Sequence, residues 1–149
     1  MNYLDTSALI KRFVVEKGSP LVGAIVSQKG PVATAKIAYA EVYAGLARKR
    51  RNGRLPESRY ALACRQFERE WKAYIRVDLR DEILLLARDL IQRHPLRGID
   101  AIHLASALSL RSALGEDMTF AAADELLLRA AAAEGLEALN VERASGLRS

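Results

Sequence analysis

The chain has 149 residues, 50% hydrophobic and 28% charged, with a formal net charge of +5, which suits one globular domain with its own core and argues against disorder. The single cysteine, Cys64, excludes an intramolecular disulfide and a cysteine-rich zinc site. The longest charge-free run, residues 18–28, is 11 residues long, short of the ~18 a membrane helix needs. With no basic leader before Asp5, a soluble cytoplasmic protein is expected.

In chain order, residues 2–5 read as a short strand, followed by a helical pattern through Leu9, Ile10, Phe13 and Val14 that stops at Gly18. Ser19-Pro20 starts a second helix, with an N-cap and a proline at the first helical position. Residues 31–34 read as a strand, and a long helix runs from about Lys36 to the stop signal Asn52-Gly53. Pro56 opens another helix, whose row Tyr60, Cys64, Phe67 and Trp71 faces either the core or a dimer or partner interface. Residues 75–78 form a strand and residues 80–94 an amphipathic helix with His94 as its C-terminal cap. Gly98 precedes a helix over residues 99–113. A strand at 118–121, a helix at 124–134 and a last strand at 139–141 complete the chain. Strands alternating with helices imply an α/β sandwich on a mostly parallel sheet, carrying a helical hairpin between Lys36 and Tyr74.

The basic excess is local. Residues 48–59 hold Arg48, Lys49, Arg50, Arg51, Arg54 and Arg59 against one acid, Glu57, so the rest of the chain is neutral. Such a patch suits phosphates or an acidic partner, and it equally suits a solvated helix end.

Three aspartates share one structural address. Asp5 and Asp124 each end a strand and begin a helix, and Asp100 lies at the start of the helix entered through Gly98. Any one of them reads simply as an N-cap. In a parallel α/β sheet, however, the carboxyl ends of the strands share one edge, where ligands bind. Glu41 falls inside its helix, and its helical neighbours Ile37, Ala38, Ala44 and Gly45 include no cation. If the four acids converge, their repulsion calls for a divalent cation, and an oxygen-only set favours Mg²⁺ or Mn²⁺ over zinc. His103 stands three residues after Asp100, as a possible ligand or as a packed or surface histidine. Phosphate-loop, dinucleotide-binding and nucleophile-elbow motifs are absent from the sequence.

Four segments, Tyr-Leu-Asp5-Thr-Ser-Ala-Leu-Ile, Ala-Glu41-Val-Tyr-Ala-Gly-Leu, Arg-Gly-Ile-Asp100-Ala-Ile-His-Leu-Ala and Phe-Ala-Ala-Ala-Asp124-Glu-Leu-Leu, occur in an order that resembles the PIN-domain ribonucleases. Among these the chain is most similar to VapC-type toxins of toxin–antitoxin pairs, over nearly its whole length. The resemblance implies a single PIN-like domain over residues 1–149, a three-layer α/β/α sandwich. It implies an endoribonuclease in which Asp5, Glu41, Asp100 and Asp124 are catalytic, with Asp5, Asp100 and Asp124 on Mg²⁺ or Mn²⁺. Thr6 or Ser7 would support them. Ala122 stands where such chains often carry Thr or Ser. Arg48, Lys49, Arg50, Arg51 and Arg54 would hold RNA phosphates, an antitoxin would be the protein partner, and a homodimer is expected.

Other readings weigh less. An aspartyl phosphotransferase would want a second acid beside Asp5 and a lysine near the last strands; Thr6 and Ser7 follow Asp5, and no lysine follows Lys72. A catalytically silent RNA- or protein-binding module of the same fold is the non-enzymatic alternative.

Overall fold

The computed structural model describes residues 1–143. Five strands make one sheet: β1 (Asn2–Leu4), β2 (Val32–Ala35), β3 (Ile75–Val77), β4 (Thr119–Ala122) and β5 (Glu137–Asn140). Their order is β3-β2-β1-β4-β5, and every pairing is parallel, where the sequence suggested only a mostly parallel sheet. β1 is central, with Asn2 opposite Val32 on one side and Thr119 on the other.

Alternation along the strands divides the core. Tyr3, Phe120 and Ala122 pack on one face under α5 (Asp81–Arg93), α6 (Gly98–Leu114) and α7 (Glu125–Ala133). Leu4 and Ala121 point to the other face, under α1 (Thr6–Leu9), α2 (Ser19–Val26), α3 (Ala38–Arg51) and α4 (Glu57–Trp71). Successive strand residues face opposite sides, so a five-stranded sheet buried on both faces needs apolar residues at nearly every position. Tyr3, Leu4 and Phe120 are all fully buried, each contributing about 1.5–3 kcal/mol by leaving water. The Tyr3 and Phe120 rings stack with centroids 5.4 Å apart.

The helical hairpin is α3 and α4. Ala38, Val42 and Leu46 on α3, and Ala63, Phe67 and Trp71 on α4, belong to the core on that face. The row from Tyr60 to Trp71 therefore divides: Phe67 and Trp71 are buried, while Tyr60 and Cys64 are only partly covered.

The first helix differs from its sequence pattern. α1 lasts four residues and tightens into a 3₁₀ turn at Ile10–Arg12 instead of continuing to Gly18. A 3₁₀ turn shifts the side-chain period, so Phe13 and Val14 reach the core without a continuous helix. The last strand begins two residues earlier than its apolar residues suggest. Glu137 and Ala138 are exposed at the sheet edge, where polar side chains carry no cost. Among the described residues, no helix is long and apolar enough to cross a membrane.

Candidate active site

The strand order reverses at β1, whose neighbours β2 and β4 lead to opposite edges of the sheet. At such a switch point the helices following the two central strands diverge and leave a crevice at the strands' carboxyl ends. Asp5 follows β1 and Asp124 follows β4, so both stand at this crevice. A cavity of about 500 Å³ opens there, large enough for a nucleotide-sized group, and Asp5, Glu41, Asp100 and Asp124 all line it.

Each carboxylate is held differently. Asp5 is 4% exposed and caps α1: its Oδ1 accepts from the Ala8 N–H at 3.0 Å and from the Ser7 hydroxyl at 2.7 Å. Ser7 Oγ also accepts from the Ala123 N–H, tying the end of β1 to the end of β4. Burial pushes the Asp5 carboxyl above its ordinary value, against the opposing influence of His103, Ser7 and the Ala8 N–H. Asp124 caps α7 through the Leu126 N–H at 3.3 Å. The capping role read from sequence thus holds for Asp5 and Asp124.

It does not hold for Asp100. That residue is the third of α6, Arg97 occupies the N-cap position, and no side chain caps the helix. Asp100 is 6% exposed, and its Oδ2 accepts from Arg97 Nε at 2.9 Å.

Glu41 also departs from its sequence reading. α3 starts at Ala38, so Glu41 lies in the first turn, where the helix dipole favours a negative charge. Nor is it uncompensated. Its Oε1 accepts from the Thr6 hydroxyl at 2.5 Å and lies 3.0 Å from His103 Nε2. Burial alone would raise the Glu41 carboxyl, but the hydrogen bonds from His103 and Thr6 outweigh it and hold it below its ordinary value. His103 is 1% exposed, with Nδ1 2.8 Å from the buried Tyr3 hydroxyl. A neutral imidazole with its proton on Nε2 satisfies both contacts, with Tyr3 donating and Glu41 accepting. His103 is therefore the packed histidine of the two sequence readings, and what it packs against is Glu41.

The donor set fits a hard divalent cation. Among the described residues, Asp5 Oδ2, Asp100 Oδ1 and Glu41 Oε2 have no hydrogen-bond partner. Unpaired oxygens on the buried Asp5 and Asp100 carboxylates are costly, and together with the half-buried Glu41 they suit Mg²⁺ or Mn²⁺. They are not preassembled: no three His, Cys, Asp or Glu side chains of the described residues already form a metal-holding group. The local partners explain the spread, since α1 draws Asp5 inward, α7 holds Asp124, and Arg97 takes one oxygen of Asp100.

The basic patch is sorted by the helix. Arg48, Lys49 and Arg54 line the cavity; Arg50 and Arg51 do not. Arg50 lies 4.0 Å over the Tyr60 ring and pairs with Glu57 at 3.6 Å. Lys49 is held by Glu16 at 2.8 Å, and Glu16 in turn pairs with Lys11 at 2.9 Å. Lys11 is buried and also reaches Glu142 at 2.8 Å. Burial lowers the Lys11 ammonium, but its bonds to Glu142 and Glu16 outweigh this and the net shift is upward. Sequence reasoning passed over Arg97, Lys11, Glu16 and Glu142. Only Arg97 carried a local signal, three residues before Asp100 at a helix start. His94 does end α5, but its side chain contacts Glu134 at 2.7 Å rather than the helix's last carbonyls.

In the family comparison, residues 3–133 of the chain match the PIN domain. The chain belongs to the PIN domain family. This PIN domain is 41% identical over 108 residues to "Ribonuclease VapC45" of Mycobacterium tuberculosis strain CDC 1551, covering 72% of this chain and 75% of that one. It is equally similar, over the same shares, to "Ribonuclease VapC49" of Mycobacterium tuberculosis strain H37Rv. Its fold matches FitAcB from Neisseria gonorrhoeae with a TM-score of 0.68 at 15% identity, over 96% of this chain and 99% of that one. VapBC-1 from nontypeable Haemophilus influenzae matches with a TM-score of 0.61 at 16% identity, over 96% and 100% of the two chains. A toxin–antitoxin complex from Klebsiella pneumoniae matches at 0.59 and 18%, over 83% and 87%.

Proposed function

We propose that this PIN domain is a divalent-metal-dependent endoribonuclease and the toxin of a toxin–antitoxin pair. The observation that carries the reading is the meeting of Asp5, Glu41, Asp100 and Asp124, from four separate elements, on one cavity at the switch point. The VapC ribonuclease relatives and the toxin–antitoxin complexes among the structural neighbours support it.

Asp5 and Asp100, each with an unpartnered oxygen, would hold Mg²⁺ or Mn²⁺ together with Asp124. When bound, such an ion supplies Lewis-acid activation of a water and neutralises charge at the phosphodiester. Glu41 presents its free Oε2 while His103 and Thr6 fix Oε1, so Oε2 is placed to orient the attacking water and accept its proton. Ser7 keeps the Asp5 carboxylate facing the cavity. Arg48 and Arg54, exposed on the rim, hold RNA phosphates without reading bases. The antitoxin would cover this pocket and supply a basic group to the carboxylates, and an RNA substrate places the work in the cytoplasm.

The deciding experiment maps RNA ends after brief expression of the wild type and of Asp5→Asn. New ends present with the wild type and absent with the variant support the nuclease. Identical RNA in both leaves the silent binding module as the better reading. Thermal melts supply an independent check. A ligand that binds only the folded state at about 100 times its Kd adds ~2.7 kcal/mol. Mn²⁺ at that excess should raise the midpoint by roughly 5–10 °C in a chain of this size, and equal midpoints with and without it would count against a shared site.

RNA binding should respond unevenly to the basic patch. Losing Arg48 and Arg54 together should flatten the salt dependence by about 1.4 in log–log slope, roughly 0.7 per phosphate contact on a single strand. Replacing Arg50 and Arg51, which lie off the cavity, should leave the slope unchanged. The two double-alanine variants, titrated with one short RNA at several salt concentrations, make the comparison.

A further inference from the structure

Among the described residues, Arg97 is the Lys or Arg that directly contacts the acidic quartet, and its geometry is that of a group able to change partners. It occupies the N-cap position of α6 with extended backbone, φ −73° and ψ 157°, so its side chain leaves from outside the helix. Its side chain is 76% exposed, yet Nε reaches the buried Asp100 carboxylate at 2.9 Å. Only Nε is used: among the described residues neither terminal nitrogen of the guanidinium has a hydrogen-bond partner. A guanidinium offers five N–H donors in a planar fork that matches phosphate oxygens, so most of this one's capacity is open. The other cavity-lining cations are differently placed. Lys11 and Lys49 are taken by Glu16 and Glu142, and Arg48 and Arg54 stand on the rim.

Two ligands compete for this geometry. Asp100 Oδ2 is held by Arg97, and a divalent cation held on the same carboxylate would compete with Arg97 for its negative charge and loosen that contact. A phosphodiester entering an acidic cavity needs a positive group near the carboxylates, and a released Arg97 is the nearest. We propose that Arg97 is an exchangeable phosphate-binding residue. It neutralises Asp100 in the metal-free chain and turns its guanidinium onto the phosphate of bound RNA when a divalent cation takes over Asp100. The exchange is cheap because the Arg97 guanidinium is already hydrated and the cation that takes over the buried Asp100 carboxylate compensates its charge. This inference rests on the nuclease reading above.

Arg97→Ala in the full chain separates the two halves of the exchange. Calorimetric titration with Mn²⁺ in the absence of RNA should show about fivefold tighter binding, because Asp100 no longer has a competing partner. Single-turnover cleavage of a short RNA at saturating Mn²⁺ should slow by about a hundredfold, the order expected for losing one charged donor to a reacting oxyanion. Arg97→Lys, which keeps the charge but not the fork, should recover part of that rate. A cooperative melt shows that the variant is folded; without metal its midpoint should fall by a few degrees, because the buried Asp100 carboxylate loses its partner, and Mn²⁺ should restore it. Unchanged or weaker Mn²⁺ binding by Arg97→Ala, or cleavage at the wild-type rate, would overturn the exchange while leaving the nuclease intact. A wild-type protein that neither binds Mn²⁺ nor cleaves RNA overturns the nuclease reading, and the exchange with it.

Discussion

Asp5→Asn and Asp100→Asn should each reduce RNA cleavage on the order of a thousandfold or more, because each removes a negative charge from the position where a cation would sit. Neither should unfold the chain. Asn is as good an N-cap as Asp, so the Ala8 N–H and Ser7 hydroxyl keep an oxygen acceptor at position 5. At position 100 the lost partner is Arg97, whose exposed guanidinium returns to water. The metal-free melts carry a further sign. Burial first of all, then the nearby Asp100 charge, raises the Asp5 carboxyl in the folded state. A carboxyl raised by folding adds stability while protonated, below its unfolded range, and loses that contribution as pH rises through its folded range. At neutral pH, the Asp5 charge therefore destabilises the metal-free fold. Asp5→Asn should melt no lower than the wild type without metal, and should lose the midpoint rise that Mn²⁺ gives the wild type. Cleavage assays of nuclease-free protein alongside melts check both, and near-wild-type cleavage by well-folded Asp5→Asn would falsify the mechanism.

His103→Leu should destabilise the fold by about 2–4 kcal/mol, lowering the melting temperature by roughly 5–12 °C. The substitution keeps an apolar filler but strands two polar groups. The fully buried Tyr3 hydroxyl loses its 2.8 Å contact, and Glu41 loses the donor that offsets its burial. The direction of the Glu41 shift supplies a second readout. A carboxylate held below its ordinary value contributes stability above its unfolded range, lost as pH falls through its folded range. Acid unfolding of His103→Leu should therefore begin from a lower plateau, with a shallower loss through the range where Glu41 titrates. His103→Gln keeps a donor and an acceptor on one side chain and should recover part of the stability. Equal melting of His103→Leu and wild type would show that the Tyr3–His103–Glu41 chain carries no net energy. A double variant with Tyr3→Phe, which removes one stranded hydroxyl, should lose less than the two separate losses added together.

The order of elements was legible because periodicity and punctuation are local. Pro20, Gly53, Pro56, Gly98 and Gly135 each stand at a boundary that the chain respects within a few residues. The exception, the helical pattern after Asp5, shows where periodicity fails. Leu9, Ile10, Phe13 and Val14 are buried as an amphipathic helix would bury them, but a 3₁₀ turn does the burying. Apolar spacing records which residues leave water and leaves open which hydrogen-bond pattern carries them there.

The quartet was legible for the same local reason. A strand end followed by a helix start has a fixed place in a parallel α/β sheet, so Asp5 and Asp124 could be assigned to one edge from sequence. What surrounds each acid could not. Glu41 looked uncompensated because its helical neighbours are apolar, yet its partners Thr6 and His103 lie 35 and 62 residues away in the chain. The basic run looked uniform, yet on α3 Arg48 and Lys49 line the cavity while Arg50 and Arg51 do not, because successive helical residues point about 100° apart, and Arg54 reaches it from the turn after the helix.

The acids, the strand-end addresses of Asp5 and Asp124 and the α/β alternation follow from local sequence, since each depends on neighbours a few residues away. Which carboxylate oxygens are paired and which remain open follows only from the folded arrangement. That depends on side chains brought together by the parallel pairing of β1 with β4 and by the helices packed on either face, and no spacing along the chain encodes those contacts.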